Sequence, residues 1–112
     1  RATAARALAA GRPVKGWEVD DVAREYITAR GHGEHFTHRT GHNLGYEVHG
    51  NGAHLDHLET IDDRRIIPRT AFTIEPGVYF DDFGVRTEIN MIVASRDAAV
   101  TGPLQTEILA LV

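Results

Sequence analysis

The spacing of apolar positions divides the chain into a helical first part and a strand-forming last part. From Ala2 to Gly31 the pattern is helical. Thr3 to Ala10 predicts an alanine-rich helix end, stopped by Gly11-Arg12-Pro13. A second helix is predicted over Glu18 to Ala29, where Val19, Val22, Ala23, Tyr26 and Ile27 recur at i, i+3, i+4, i+7 and i+8 and share one face. Glu18, Asp20 and Asp21 are expected in its first turn, where the helix dipole favours carboxylates. Gly31 after Arg30 supplies a left-handed stop. Gly50 to Pro68 reads as irregular loop. Thr70 to Glu75 and Val85 to Ala94 are β-branched-rich runs, joined by a connection holding Pro76, Gly77 and Gly84. A short run, Glu107 to Val112, is expected to close the sheet. Helices first and antiparallel strands after give an α+β class.

Alternate residues of a strand share a face. Phe72 and Ile74 therefore lie on one side of the first run, and Ala71, Thr73 and Glu75 on the other. In the second run Arg86, Glu88 and Asn90 line one side, opposite Val85, Thr87, Ile89 and Met91. If the two runs pair, Glu75 and Glu88 come together with Arg86 beside them. Two carboxylates so placed repel each other unless one takes a proton or a cation sits between them. A divalent metal resolves the conflict. Oxygen ligands with one imidazole suit manganese, cobalt, iron or zinc. The competing reading is a solvated strand face with its glutamates paired to arginine.

The imidazoles concentrate in the stretch HFTHRTGHNLGYEVHG, His35 to Gly50, which fits neither period. His38, His42 and His49 are spaced four and seven apart, but Gly41, Asn43 and Gly45 argue against a helix there. His32, His35, His54 and His57 lie in polar, turn-like surroundings and read as exposed or structural. The bland alternative for the whole group is a set of surface imidazoles with one or two satisfied in the core. No HExxH is present, which excludes a zincin-type site. Ser95, the one serine, stands in no Gly-x-Ser-x-Gly context, so a serine nucleophile is not expected.

Composition narrows the classes further. A chain of 112 residues, 42% hydrophobic and 25% charged, has the profile of one soluble globular domain. Its net charge of -4 argues against nucleic acid as a partner, since no basic stripe is available to neutralise phosphates. No apolar run reaches membrane-spanning length. The absence of cysteine excludes disulfides, thiolate metal sites and a thiol nucleophile, and a cytoplasmic setting is expected. The chain opens on Arg1, without methionine, in the middle of a predicted helix. We therefore expect it to be part of something longer.

Three blocks, in order, resemble a known family. They are His38-Arg39-Thr40-Gly41-His42-Asn43-Leu44-Gly45-Tyr46-Glu47-Val48-His49, Phe72-Thr73-Ile74-Glu75-Pro76-Gly77, and Gly84-Val85-Arg86-Thr87-Glu88. They are similar to signatures of the pita-bread metallopeptidases, which include methionine aminopeptidase, aminopeptidase P and prolidase (Xaa-Pro dipeptidase). The resemblance implies that residues 1–112 are a single partial domain, the C-terminal portion of a catalytic domain. It implies two divalent ions, manganese first, with cobalt, iron or zinc as alternatives. His42 and Glu75 become metal ligands, and Glu88 a ligand bridging both ions. His38 and His49 become catalytic-pocket residues that hydrogen-bond the scissile carbonyl region, and Arg86 orients the carboxylates near the metals. The implied reaction is hydrolysis of the N-terminal peptide bond of Xaa-Pro dipeptides or short peptides, by water that the paired ions activate.

The pattern departs from the family at two places: Gly50 follows His49 where an acidic residue is usual, and Ile89 follows Glu88 where aspartate is usual. Two aspartate ligands expected upstream have no counterpart before Glu18. We therefore expect the chain by itself to bind metal weakly and hydrolyse nothing. It should expose apolar surface, and form a homodimer or associate with a missing N-terminal half. A creatinase-like hydrolase without metal and a pita-bread module used only for protein binding are the alternatives. Intact His42, Glu75 and Glu88 argue against both.

Overall fold

The computed structural model describes residues 2–111. Two helices, α1 (Ala2–Ala9) and α2 (Gly16–Thr28), precede a short 3-10 turn at Gly33–His35. Six strands follow: β1 (Asn43–Leu44), β2 (Ala71–Ile74), β3 (Gly77–Tyr79), β4 (Gly84–Arg86), β5 (Ile89–Val93) and β6 (Ala98–Thr101). The strands form an antiparallel sheet in the order β1-β2-β5-β6 and a separate β3-β4 pair. The α+β class, helices then antiparallel strands, is what the polarity pattern predicts. Among the described residues no helix is long and apolar enough to cross a membrane.

Helix α1 stops at Gly11, whose φ of 69° is left-handed. Helix α2 starts at Gly16, two residues before the predicted Glu18, because a distant loop completes its first turn. The Gly16 and Trp17 N–H groups donate to the carbonyls of Arg64 and Asp62 at 3.2 and 3.1 Å. Glu18 accepts from the Lys15 N–H at 2.8 Å and from Arg12 at 2.7 Å. Those two bonds, the Arg12 contact foremost, hold its carboxyl below the usual range. With this start, only Glu18 of the three acidic residues lies in the first turn. The helix ends at Thr28, and Gly31 has the expected left-handed φ, 79°.

The strand predictions need three corrections. The run Val85 to Ala94 is two strands, β4 and β5, separated at Thr87-Glu88. The supposed connection after Pro76 contains β3. Both differences have one cause. Ile74 faces Ile89 in β2-β5, and Gly77 faces Arg86 in β3-β4, so one register runs through both pairs. Pro76 has no N–H to give the ladder, and the pairing lapses at Glu75-Pro76 and, opposite, at Thr87-Glu88. Thirdly, residues 107–111 form no strand, and Val112 lies outside the described residues. The sheet is closed by β6, which pairs with β5 through a turn held by the Ala94 N–H to the Asp97 carbonyl at 2.8 Å. Ser95-Arg96-Asp97 is the turn signal that marks it.

Val14, Val19, Leu55, Phe72, Met91 and Val93 centre a core that also takes in Ala7 of α1 and Ala98 of β6. Parity holds in β5: Met91 and Val93 are buried, Asn90 and Ile92 exposed. The face of α2 is only partly covered. Val19 is buried, but Val22 and Tyr26 remain 46% and 59% exposed, beside an apolar groove of about 430 Å³ that α2 shares with β3 and β4.

Candidate metal and peptide site

The segment Thr40 to Leu44 lies between two neighbours and is bonded to both. On one side the Gly41 N–H and carbonyl bond to the Leu55 carbonyl and N–H at 3.3 and 3.0 Å. On the other, the Thr73 N–H donates to the His42 carbonyl at 2.9 Å and the Glu75 N–H to the Thr40 carbonyl at 2.7 Å. The His42 N–H donates to Thr73 Oγ1 at 2.9 Å. This double stitching leaves no room at Gly41, where a Cβ would stand 2.0 Å from the Thr73 carbonyl oxygen.

Stitched so, His42 Nε2 meets Glu75 Oε1 at 3.2 Å, with the two side chains 10% and 13% exposed. His42 Nδ1 faces the Asn43 carbonyl at 3.1 Å, so a neutral ring carries its proton there. Nε2 then presents a lone pair to a carboxylate oxygen. Two acceptors facing each other are relieved by a proton shared between them or by a cation that both ligate. An imidazole and a carboxylate converging in this way are a donor set suited to a divalent metal. The Thr73 hydroxyl donates to Glu75 Oε1 at 2.8 Å, and Arg86 Nη1 lies 3.5 Å from Oε2. These contacts orient the carboxylate.

The other predicted residues are placed as follows. His49 is exposed, on the loop after β1, its ring edge-on to His42 with centroids 4.2 Å apart. His38 is half-buried; its Nδ1 faces the Arg39 carbonyl at 2.7 Å and its Nε2 the Tyr79 hydroxyl at 3.0 Å. Arg86 donates from Nε to the Tyr79 hydroxyl at 2.7 Å. Glu88 stands opposite Glu75 in the register, yet it is exposed and makes none of the contacts that gather around Glu75. Among the described residues no three His, Asp or Glu side chains cluster closely enough to hold a metal. His42 and Glu75 are brought together, and Glu88 is not brought to them.

Sequence reasoning missed Tyr79. Its signal was parity, since Glu75, Gly77 and Tyr79 alternate along one strand direction. It also missed the supports of the His42 loop. His54 Nδ1 accepts the Asn43 N–H at 3.0 Å. The His54 backbone N–H in turn donates to buried Asp62 at 2.7 Å, and Arg64 grips the same carboxylate. Partial burial, followed by the nearby Arg39 and Arg64 charges, pushes the His54 ring below its usual range. Burial alone would raise Asp62, but hydrogen bonds from Arg64 and from the His54 and Arg64 backbones together outweigh it and hold the carboxyl low.

Both shifts make the fold acid-sensitive. The His54 contribution is complete above its ordinary value of about 6.5 and is lost below it, as the unfolded chain takes up the proton first. The Asp62 contribution is lost later, as pH falls through its depressed value. The melting temperature should therefore begin to fall just below about pH 6.5. In His54→Gln that first decline should shrink, while the decline at lower pH persists. An unchanged first decline in the variant would show that His54 is not its source.

Residues 1–95 match the model of metallopeptidase family M24. The chain is 37% identical over 97 residues to a probable dipeptidase PepE of Mycobacterium tuberculosis, covering 85% of this chain and 24% of that protein. It is 43% identical over 72 residues to an Xaa-Pro dipeptidase of Lactobacillus delbrueckii, covering 63% and 18%. Superposition on a crystal structure of prolidase from Thermococcus sibiricus gives a TM-score of 0.75 at 30% identity, covering 95% of this chain and 29% of that one. The chain spans about a quarter of the length of the first relatives it matches.

Proposed function

The chain belongs to metallopeptidase family M24, and on that premise we propose that it is the C-terminal portion of a catalytic domain that cleaves the N-terminal peptide bond of Xaa-Pro dipeptides or short peptides. The observation that carries this reading is the convergence of His42 Nε2 and Glu75 Oε1 at 3.2 Å, close enough for both to ligate one ion. His42 and Glu75 would hold a divalent ion, with Glu88, from the strand opposite, bridging to a second; manganese is the ion proposed first. When bound, such ions lower the pKa of water and polarise the scissile carbonyl. Thr73 and Arg86 fix the Glu75 carboxylate, and His38 and His49 would line the pocket that takes the peptide. The names of the relatives support a dipeptidase, and that of the Lactobacillus relative supports proline after the scissile bond. A cytoplasmic setting and pairing with a second subunit or a further half-domain complete the proposal.

The test is hydrolysis of an Xaa-Pro dipeptide and its Xaa-Ala counterpart by the protein that carries this chain, with manganese, cobalt or zinc added. Metal-dependent cleavage that favours the proline substrate is expected. Equal turnover of both dipeptides would overturn the substrate assignment. Metal content and activity unchanged in Glu88→Ala would overturn the bridging role.

A further inference from the structure

Asp20 and Arg24 lie one turn apart on α2, outside the metal pair. Asp20 is completely buried. Arg24 pairs with it side-on, Nε 2.7 Å from Oδ2 and Nη2 3.2 Å from Oδ1. A buried carboxylate is strongly unfavourable unless its oxygens are well bonded, and Asp20 completes its set with the Thr40 N–H at 2.7 Å. Arg24 uses its remaining N–H groups on the carbonyls of Phe36 at 3.2 Å and His38 at 2.9 Å. Its guanidinium also covers the Phe36 ring, 4.3 Å from the centroid.

One ion pair thus grips three alternate residues, 36, 38 and 40, of a segment with no helix or strand of its own. Its consequences reach the site along two routes. The Thr40 carbonyl, held from its own N–H by Asp20, accepts the Glu75 N–H. The Arg39 carbonyl, between two gripped residues, is left facing His38 Nδ1 at 2.7 Å. A carbonyl accepts only, so the His38 proton belongs on Nδ1. Nε2 is then the acceptor, facing the Tyr79 hydroxyl at 3.0 Å and Arg86 Nη2 at 3.4 Å.

We propose that Asp20 and Arg24 are positioning residues for His38, fixing its ring as the Nδ1–H tautomer with Nε2 directed into the site. The inference takes its catalytic meaning from the reading of His38 as a pocket residue. The tautomer itself is measurable without any peptidase activity, so failure of the clamp and failure of the proposed reaction are separate results.

The experiment is long-range proton–nitrogen NMR of the histidine rings in the protein that carries this chain, with Arg24→Lys and Thr40→Val beside the wild type. Arg24→Lys keeps a positive charge next to Asp20 but loses the planar fork that reaches both carbonyls. Thr40→Val removes a buried hydroxyl that has no hydrogen-bond partner among the described residues and leaves the clamp's backbone contacts in place. Wild type and Thr40→Val should show a single Nδ1–H form at His38. In Arg24→Lys the two ring-nitrogen signals of His38 should converge as the tautomers mix, while those of His57, held by Asp21 elsewhere on α2, stay put. A folded Arg24→Lys with the wild-type His38 pattern would overturn the clamp. If Arg24→Lys does not fold, the wild type decides: a mixed or Nε2–H form at His38, or rapid exchange of the Thr40 amide, overturns it equally.

Discussion

Glu75→Gln is expected to remove metal uptake while leaving the fold intact. The substitution keeps the shape of the side chain. It also replaces one of two opposed acceptors with an amide that can donate to His42 Nε2, so the 3.2 Å contact becomes an ordinary hydrogen bond. What is lost is the acceptor of the Thr73 hydroxyl, because the same Oε1 becomes the amide nitrogen, at a cost of about 1 kcal/mol. The charge opposite Arg86 is lost as well, and with Arg86 45% exposed that pair is worth little. The thermal midpoint should therefore stay within a few degrees. Metal affinity should fall by more than the roughly 10–100-fold that partners behind a ligand typically cost, and hydrolysis by the protein carrying the chain should fall with it. Calorimetric titration with manganese and a thermal melt on the same preparation separate the two effects. Wild-type metal affinity in Glu75→Gln would remove Glu75 from the ligand set, whatever the activity.

Gly41→Ala should act in the opposite way, through the fold. The added methyl would stand 2.0 Å from the Thr73 carbonyl oxygen, and the nearest obstacles include backbone rather than the end of a flexible side chain. To admit it, β2 and the His42 segment must part, which lengthens the bonds from Thr73 to His42 and from Glu75 to Thr40. Overpacking of this kind costs about 1–3 kcal/mol and sometimes more. Against a total stability of roughly 5–15 kcal/mol, a loss near 3 kcal/mol lowers the melting temperature by roughly 10–20 °C. Gly11→Ala is the comparison. Gly11 has a left-handed φ of 69° but open space around its Cα, so it reports the conformational cost alone, about 1–2 kcal/mol. Equal losses at the two positions would show that crowding at Thr73 is not what Gly41 avoids.

Much of this was legible along the chain. The 3.6-residue period of Val19, Val22, Ala23, Tyr26 and Ile27 marks α2, and parity puts Thr73 and Glu75 on one side of β2. Gly31 announces its own left-handed conformation. Three motif blocks point to a family that the match over residues 1–95 bears out. These features are local: helix period, strand parity and turn chemistry depend on residues a few positions apart, and a motif is a local string by definition. Even the split of the second run and the strand missed after Pro76 have a local reason, the missing N–H of Pro76, which divides one long hairpin into two pairs without changing its register.

The remainder depended on groups far apart in sequence. Asp20 read as a first-turn carboxylate, yet it is buried, because α2 starts on carbonyls of Asp62 and Arg64 and the Thr40 N–H needs an acceptor. Asp62 and His54 lie in a stretch that reads as irregular loop. In the fold Asp62 accepts the His54 N–H and His54 the Asn43 N–H, partners for a backbone that has almost no regular structure of its own. Tyr79 joins His38 to Arg86 only once β3 folds back beside the histidine loop. The sequence by itself determined the element types, the strand parity and the residue types able to bind metal. Tertiary structure alone decided that His42 meets Glu75 and that Glu88 stays apart from His42, because 32 residues lie between the first pair and 45 between the second, and no local pattern encodes closure over such lengths.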